Sequence, residues 1–231
     1  MREDILSLLA LEAKYQIEAA LLKRLLQGGS VVSLNKYEPL IDAGEYNPDV
    51  FVIGEGIIRG TYIDKNAEIT TGFALPGTLL FSFHCYYGQL PSFMRFEACC
   101  RSEVIRIPRS YFDDMIRRSH EFAIWVMSAN QNQLYYNECR YNLISGDAKS
   151  RLRSLFKRWS DVHPGVPSDI IASSFAVSES HDSRLRRELT ERWSNIIPMV
   201  PARVIASYLG ITEQHLCKMK REILTERRTP G

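Results

Sequence analysis

The last third of the chain repeats itself. Residues 155–189 superpose on residues 189–223 at a fixed offset of 34, without a gap. Arg158-Trp159-Ser160 falls on Arg192-Trp193-Ser194, and Val166-Pro167 on Val200-Pro201. Ile171-Ala172-Ser173 falls on Ile205-Ala206-Ser207, and His181 on His215. Arg184-Leu185-Arg186-Arg187-Glu188-Leu189 falls on Lys218-Met219-Lys220-Arg221-Glu222-Ile223. A tandem duplication explains this where chance does not, and a repeat of this length marks one supersecondary unit.

The second copy shows what the unit is. Pro201 precedes the apolar-periodic run Val204-Ile205-Ala206-Ser207-Tyr208-Leu209. Gly210-Ile211 follows, then a fresh cap at Thr212 with Glu213 and Gln214 behind it. The next helix carries Leu216, Met219 and Ile223 on one face. Ala206 is small where two crossing helices approach, Gly210 allows the positive φ of a sharp turn, and Ile211 is placed to plug between the helices. This is a helix-turn-helix layout, which offers its second helix to the DNA major groove. Thr212, Glu213, Gln214, His215, Lys218 and Arg221 are then the outward set, the first suited to base edges and the cations to phosphates. The first copy is degenerate, with Ala176 at the turn. Its outward set, Ser178, Ser180, His181, Arg184 and Arg187, belongs either to a second DNA reader or to a spacer docked on copy two.

Charge follows the same division. Residues 1–147 hold 14 Lys+Arg against 18 Asp+Glu, net −4, and residues 148–231 hold 15 against 9, net +6, which together give the chain's +2. An acidic front and a basic tail suit a tail that meets nucleic acid. With 45% hydrophobic and 24% charged residues among 231, the chain as a whole is expected to fold. No apolar run reaches the roughly 18–20 residues of a membrane span, and the N-terminus does not read as a signal peptide. The five cysteines form no CxxC pair, which points to reduced thiols in a cytoplasm and to no metal or cluster site.

The front of the chain has a different texture. Residues 4–27 repeat Ile5, Leu8, Leu9, Ile17, Leu21 and Leu25 at helical spacing, and Gly28-Gly29 ends that predicted helix. From about 31 to 107, short β-rich runs alternate with turn residues, the pattern of an antiparallel sandwich or barrel. Ser110 is placed to cap a short helix over 111–117, and Ser119 a longer one to about 145. Along the longer one, Phe122, Val126, Ala129, Gln133, Tyr136, Arg140 and Leu143 alternate steps of four and three. That seam belongs either to a dimer or to a helix lying on its own domain.

This order of parts resembles the Crp/Fnr family of bacterial transcription regulators. The resemblance rests on Gly44-Glu45, Val50-Phe51-Val52-Ile53-Gly54-Glu55-Gly56, Pro76-Gly77 and Glu103-Val104-Ile105-Arg106-Ile107-Pro108, together with the tail from Val200-Pro201 to Thr212. The tail is similar to the variant found in Bacteroidetes members, although the duplication departs from the usual single copy. The resemblance implies an α+β chain with three parts. A cyclic-nucleotide-binding-like β-roll (a jelly roll) with an N-terminal helix is expected over 1–108. A dimerisation helix and hinge follow over 109–146. An all-α tandem helix-turn-helix domain is expected over 147–231, with copies at about 150–189 and 184–223. It also implies double-stranded DNA as partner, a homodimer, and RNA polymerase as a further contact.

The effector pocket departs from the family. Members that bind cyclic AMP hold its ribose with a Gly-Glu pair and its phosphate with an Arg-Ser pair. Counting along this sequence puts Phe81-Ser82 at the first pair and Ser92-Phe93 at the second. A phosphodiester there would lack its bidentate charge-assisted partner. Arg95 lies three residues on, and strand alternation turns it to the other face from Ser92. Phe81, Ser82, Phe83, Ser92 and Arg95 are the candidate pocket residues for an effector that is not cyclic AMP, and no cofactor is expected. His84 and Cys85, read as strand neighbours, point to opposite faces and do not suggest a metal. The aromatics around them, including Tyr86, Tyr87, Phe93 and Phe96, are expected to fill the roll or line an apolar pocket.

Three function classes follow. A dimeric transcription regulator accounts for all parts. An enzyme on a β-barrel needs clustered His and carboxylate ligands, and residues 31–107 hold His84 alone. Neither a Gly-x-Ser-x-Gly nor a His-Glu-x-x-His motif is present. A ligand-sensing or interaction module that has lost DNA binding is the alternative that sequence leaves open.

Overall fold

A computed structural model describes residues 3–145 apart from 11, 14 and 66, then 147–148 and 200–226. The first tail copy, with Ser178, Ser180, His181, Arg184 and Arg187, lies outside the described residues. The chain divides into two units, one of residues 1–63 and 71–135, the other of residues 64–70 and 136–231.

The first unit carries most of two four-stranded antiparallel sheets, the strand residues among 64–70 belonging to the second unit. β1 (Ser30–Leu34), β8 (Ser102–Ile107), β3 (Val50–Glu55) and β6 (Leu79–Leu80) form one, in that order. β2 (Pro39–Ile41), β7 (Arg95–Ala98), β4 (Ile58–Asp64) and β5 (Ala67–Ala74) form the other. β8 is the spine of the first sheet, pairing Ser30↔Arg106 on one side and Val50↔Ile107 on the other. Alternation along the central strands builds two cores at once. Phe51, Ile53 and Val104 face Ile41, Ile58, Phe96 and Ala98 of the second sheet. Val50, Val52, Ile105 and Ile107 face the other way, into a helical layer. A strand buried on both faces reads as a continuous apolar run, which is why Val50-Phe51-Val52-Ile53 is unbroken.

That layer is built from α1 (Glu3–Ala10), α2 (Ala19–Gln27), α4 (Arg109–Arg118) and α5 (His120–Ser145), with the short α3 (Phe83–Tyr86) beside it. The single helix expected over 4–27 is broken in two. The break is held by α5, where Glu121 Oε1 accepts the Glu18 N–H at 2.7 Å and Asn132 Nδ2 donates to the Glu12 carbonyl. The Pro76-Gly77 turn sits under α1. Gly77 has φ +89, and a Cβ there would lie 2.7 Å from the Leu8 backbone, so only glycine fits. α4 starts earlier than expected, at Arg109, with Pro108 at its cap position, so Ser110 lies inside the helix. Ser119 does cap α5, accepting the Phe122 N–H at 3.1 Å.

The first half of the α5 seam follows the second of its two expected placements. Phe122, Trp125, Val126 and Ala129 are buried against the helix's own domain, so its first half serves that core. A different stripe is exposed, with Met127 at 55%, Leu134 at 62% and Tyr141 at 67%, spaced every seven residues. The side chains of Tyr136, Arg140 and Leu143 lie outside the described residues.

In the second unit, α6 (Ala202–Leu209) and α7 (Glu213–Glu226) are joined by a tight turn. Gly210 is left-handed at φ 65 and ψ 39, and the Ile211 N–H donates to the Ala206 carbonyl at 3.0 Å. That bond closes the helix end in the way glycine at this position permits. Val204, Ile205, Ala206, Leu209, Leu216 and Met219 are buried, whereas Ile211 is only half-buried. Ser207 Oγ accepts the Thr70 N–H at 2.9 Å and donates to the Glu68 carbonyl at 2.7 Å, within the same unit.

Candidate functional site

Two places follow from the sequence candidates. The first is the polar face of α7. Thr212 Oγ1 accepts the His215 N–H at 3.2 Å and so caps the helix start. Thr212, Glu213, Gln214, His215, Lys218 and Arg221 are all exposed, while Leu216 and Met219 turn inward. The structure therefore gathers the whole second-copy set on the solvent side of one helix, next to the exposed Cys217 thiol.

The second is the set of effector-pocket candidates named from the sequence, beginning with Ser82 and Ser92. Ser82 and Ser92 are buried, at 4% and 3% exposure. They bond to each other, Ser82 Oγ donating to Ser92 Oγ at 2.9 Å, and Ser92 Oγ donates to the Met94 carbonyl at 2.7 Å. Both hydroxyl protons are thereby committed inside the protein. Ser82 also sits at the cap of α3, so His84 and Cys85 are helical rather than strand neighbours, and the opposite-face argument made for them does not apply. Among the described residues no group of three or more His, Cys, Asp or Glu side chains is placed to hold a metal ion.

The remaining candidates do not converge on the serines. Phe81 is buried in the helical core, and Phe83 is 46% exposed. Arg95 turns to the carboxylates of its own sheet, with Nε 2.9 Å from Glu97 Oε2 and Nη1 3.2 Å from Asp42 Oδ1. Glu97 is at the same time bound by the buried Arg59, whose Nε donates at 2.8 Å. On the inner face, a Cβ on Gly60 would meet Met94 Cε at 2.8 Å and Thr71 Oγ1 at 3.1 Å. That side of Gly60 is thus packed by Met94 and Thr71. The aromatic cluster is split: Tyr86 and Phe96 are buried, but Tyr87 and Phe93 are 57% and 59% exposed.

A cleft of about 450 Å3, which sequence reading missed, lies between α3, α4 and α5. The Tyr86 hydroxyl donates to Asp113 Oδ1, and the Arg109 guanidinium lies 5.1 Å from the Tyr86 ring centre. Burial, then the bond to Asp113, raises the Tyr86 pKa above its ordinary value, so the phenol remains a neutral donor. Asn130 Nδ2 donates to Tyr87 Oη at 3.0 Å. Asp113 and Arg117, four residues apart on α4, were the available signal, since that spacing puts both on one helix face.

No family model matches the chain, and no curated protein matches it. Solved structures do. FixK2 from Bradyrhizobium japonicum is 15% identical with a TM-score of 0.59, covering 86% of this chain and 85% of its own. A variant of CooA from Carboxydothermus hydrogenoformans is 14% identical with a TM-score of 0.59, covering 88% and 79%. A cyclic nucleotide-binding domain from Methylobacillus flagellatus is 13% identical with a TM-score of 0.51, covering 58% and 75%. FixK2 and CooA are Crp/Fnr family regulators with a cyclic-nucleotide-binding-like domain. At this identity the likeness establishes the fold: a β-rich domain of antiparallel sheets and helices of the cyclic-nucleotide-binding type. No helix among the described residues is long and apolar enough to cross a membrane.

Proposed function

We propose that this chain is a homodimeric, DNA-binding transcription regulator of the Crp/Fnr type. The observation that carries the reading is α7: a capped helix with six polar side chains exposed on one side and its apolar side held by α6. Its N-terminal residues, Glu213 and Gln214, are placed as base readers, and Lys218 and Arg221 as phosphate contacts. The fold shared with FixK2 and CooA supports the same reading. Met127, Leu134 and Tyr141 supply the stripe on which a second copy packs, and the duplicated tail remains part of the proposal. The protein acts in the cytoplasm, is not an enzyme, and meets RNA polymerase when seated on DNA.

Cyclic AMP is not its effector. The positions counted for the ribose and phosphate partners hold two serines bonded to each other, and among the described residues no guanidinium is bonded to them. Cyclic AMP is therefore expected to leave the melting temperature unchanged, and a saturable rise would overturn this part. The function itself is tested by selection from a random duplex pool. A two-fold symmetric motif with half-sites about 10–10.5 base pairs apart is expected. Recovery of no motif, or of one without symmetry, would count against the dimeric reader.

A further inference from the structure

The cleft between α3, α4 and α5 is a built site whose chemistry is mixed rather than merely apolar. Its apolar lining includes Ile116, Val126 and Met127. At its edge, Tyr87 accepts from Asn130 and keeps its own hydroxyl proton, for which no acceptor is seen among the described residues. Asp113 is occupied, taking the Tyr86 proton and lying 3.4 Å from Arg109 Nε. Asp114 is held by Arg118 Nε at 2.8 Å, and its contact to Arg117 is the longer one, at 3.7 Å. Arg117 is 67% exposed along its side chain. The carboxylates of α4 are thus satisfied by Arg109, Arg118 and Tyr86, and Arg117 is the cation left least engaged. The volume lies within the range of small-molecule sites.

We propose that this cleft binds an amphipathic monoanion, an aliphatic or aromatic carboxylate. Its apolar body lies on Ile116, Val126 and Met127, and its carboxylate is held by the Arg117 guanidinium and the Tyr87 hydroxyl. Burying alkyl or aryl surface supplies the attraction, and the cation and the donor select the charged head. A phosphodiester nucleotide is a poor match, because the rim offers one cation rather than a fork from two sides. Met127 belongs both to this lining and to the exposed stripe of α5, so a bound carboxylate touches the surface on which a second copy packs. The binding claim stands without the regulator reading; its consequence for DNA rests on that reading.

The test uses the full chain with octanoate and 1-naphthoate, each beside its uncharged alcohol, followed by calorimetry and thermal shift. Saturable binding of at least one carboxylate is expected, with its alcohol at least tenfold weaker. Arg117→Gln is expected to weaken the carboxylate about tenfold, the scale of one charge-assisted bond, and to leave the ligand-free melting temperature unchanged. Tyr87→Phe gives a smaller loss in the same direction. Equal binding of carboxylate and alcohol, an Arg117→Gln variant that binds like the parent, or no saturable binding of either probe would overturn the proposal. DNA binding measured in the same samples separates the two readings. A carboxylate bound by a chain that binds no DNA leaves the site standing and removes the regulator, and the reverse result removes the site alone.

Discussion

That Ser82 and Ser92 belong among the pocket candidates was legible in the sequence through the family resemblance. Their mutual hydrogen bond was not, because it depends on a loop that brings residues ten apart in sequence to 2.9 Å. Gly210 shows the opposite case: its place between two apolar-periodic runs announced the turn, and its φ of 65 matches. Gly210→Ala is expected to cost about 1–2 kcal/mol, the penalty of a left-handed residue with a Cβ, read by urea unfolding of the helical signal. Cys99 gives a pH prediction. Burial, aided by Cys100 and Glu97 and opposed by Arg59 and Lys36, pushes its thiol up from 9.0 to about 12. The native protein holds this proton after the unfolded chain has lost it. Its contribution is therefore full below pH 9 and falls between pH 9 and about 12, at roughly 1.4 kcal/mol per pH unit. Urea titrations of wild type and Cys99→Ala across that window should show a flatter decline for the variant.

At the scale of elements, α5 shows why periodicity left the placement of the seam open. Apolar residues lie all around it, with Phe122, Val126 and Ala129 on one side and Met127, Leu134 and Tyr141 on another. Both sets fit a heptad, and periodicity cannot say which one meets the chain's own β-domain. The choice is made by tertiary packing, where Phe122 stacks on Trp125 at 5.7 Å and edge-on to Phe112 at 5.4 Å. The two faces should respond differently. Leu134→Glu, on the exposed stripe, is expected to give folded monomers in sedimentation experiments. Val126→Glu places an unpaired carboxylate in the core and is expected to prevent cooperative folding. If Leu134→Glu leaves a dimer intact, the stripe is not the seam. The break between α1 and α2 was illegible for a related reason. The apolar spacing runs on through it, and the partners that hold it, Glu121 and Asn132, lie more than a hundred residues away.

For the whole molecule, the division into an acidic front and a basic tail was readable from charge, and strand-rich and helix-rich stretches from patterning. The pairing of eight strands into two sheets was not, since β1 pairs with β8 across most of the domain's length. The central claim is that α7 reads DNA. It is tested most directly by fluorescence anisotropy of the selected duplex over a series of salt concentrations, with wild type beside a Lys218→Ala/Arg221→Ala double variant. Wild type is expected to bind with a steep negative salt slope. The double variant should bind more weakly on every duplex, with a slope shallower by about two, one for each phosphate contact removed. A wild type that fails to bind at low salt, or a variant with unchanged affinity and slope, would contradict the account.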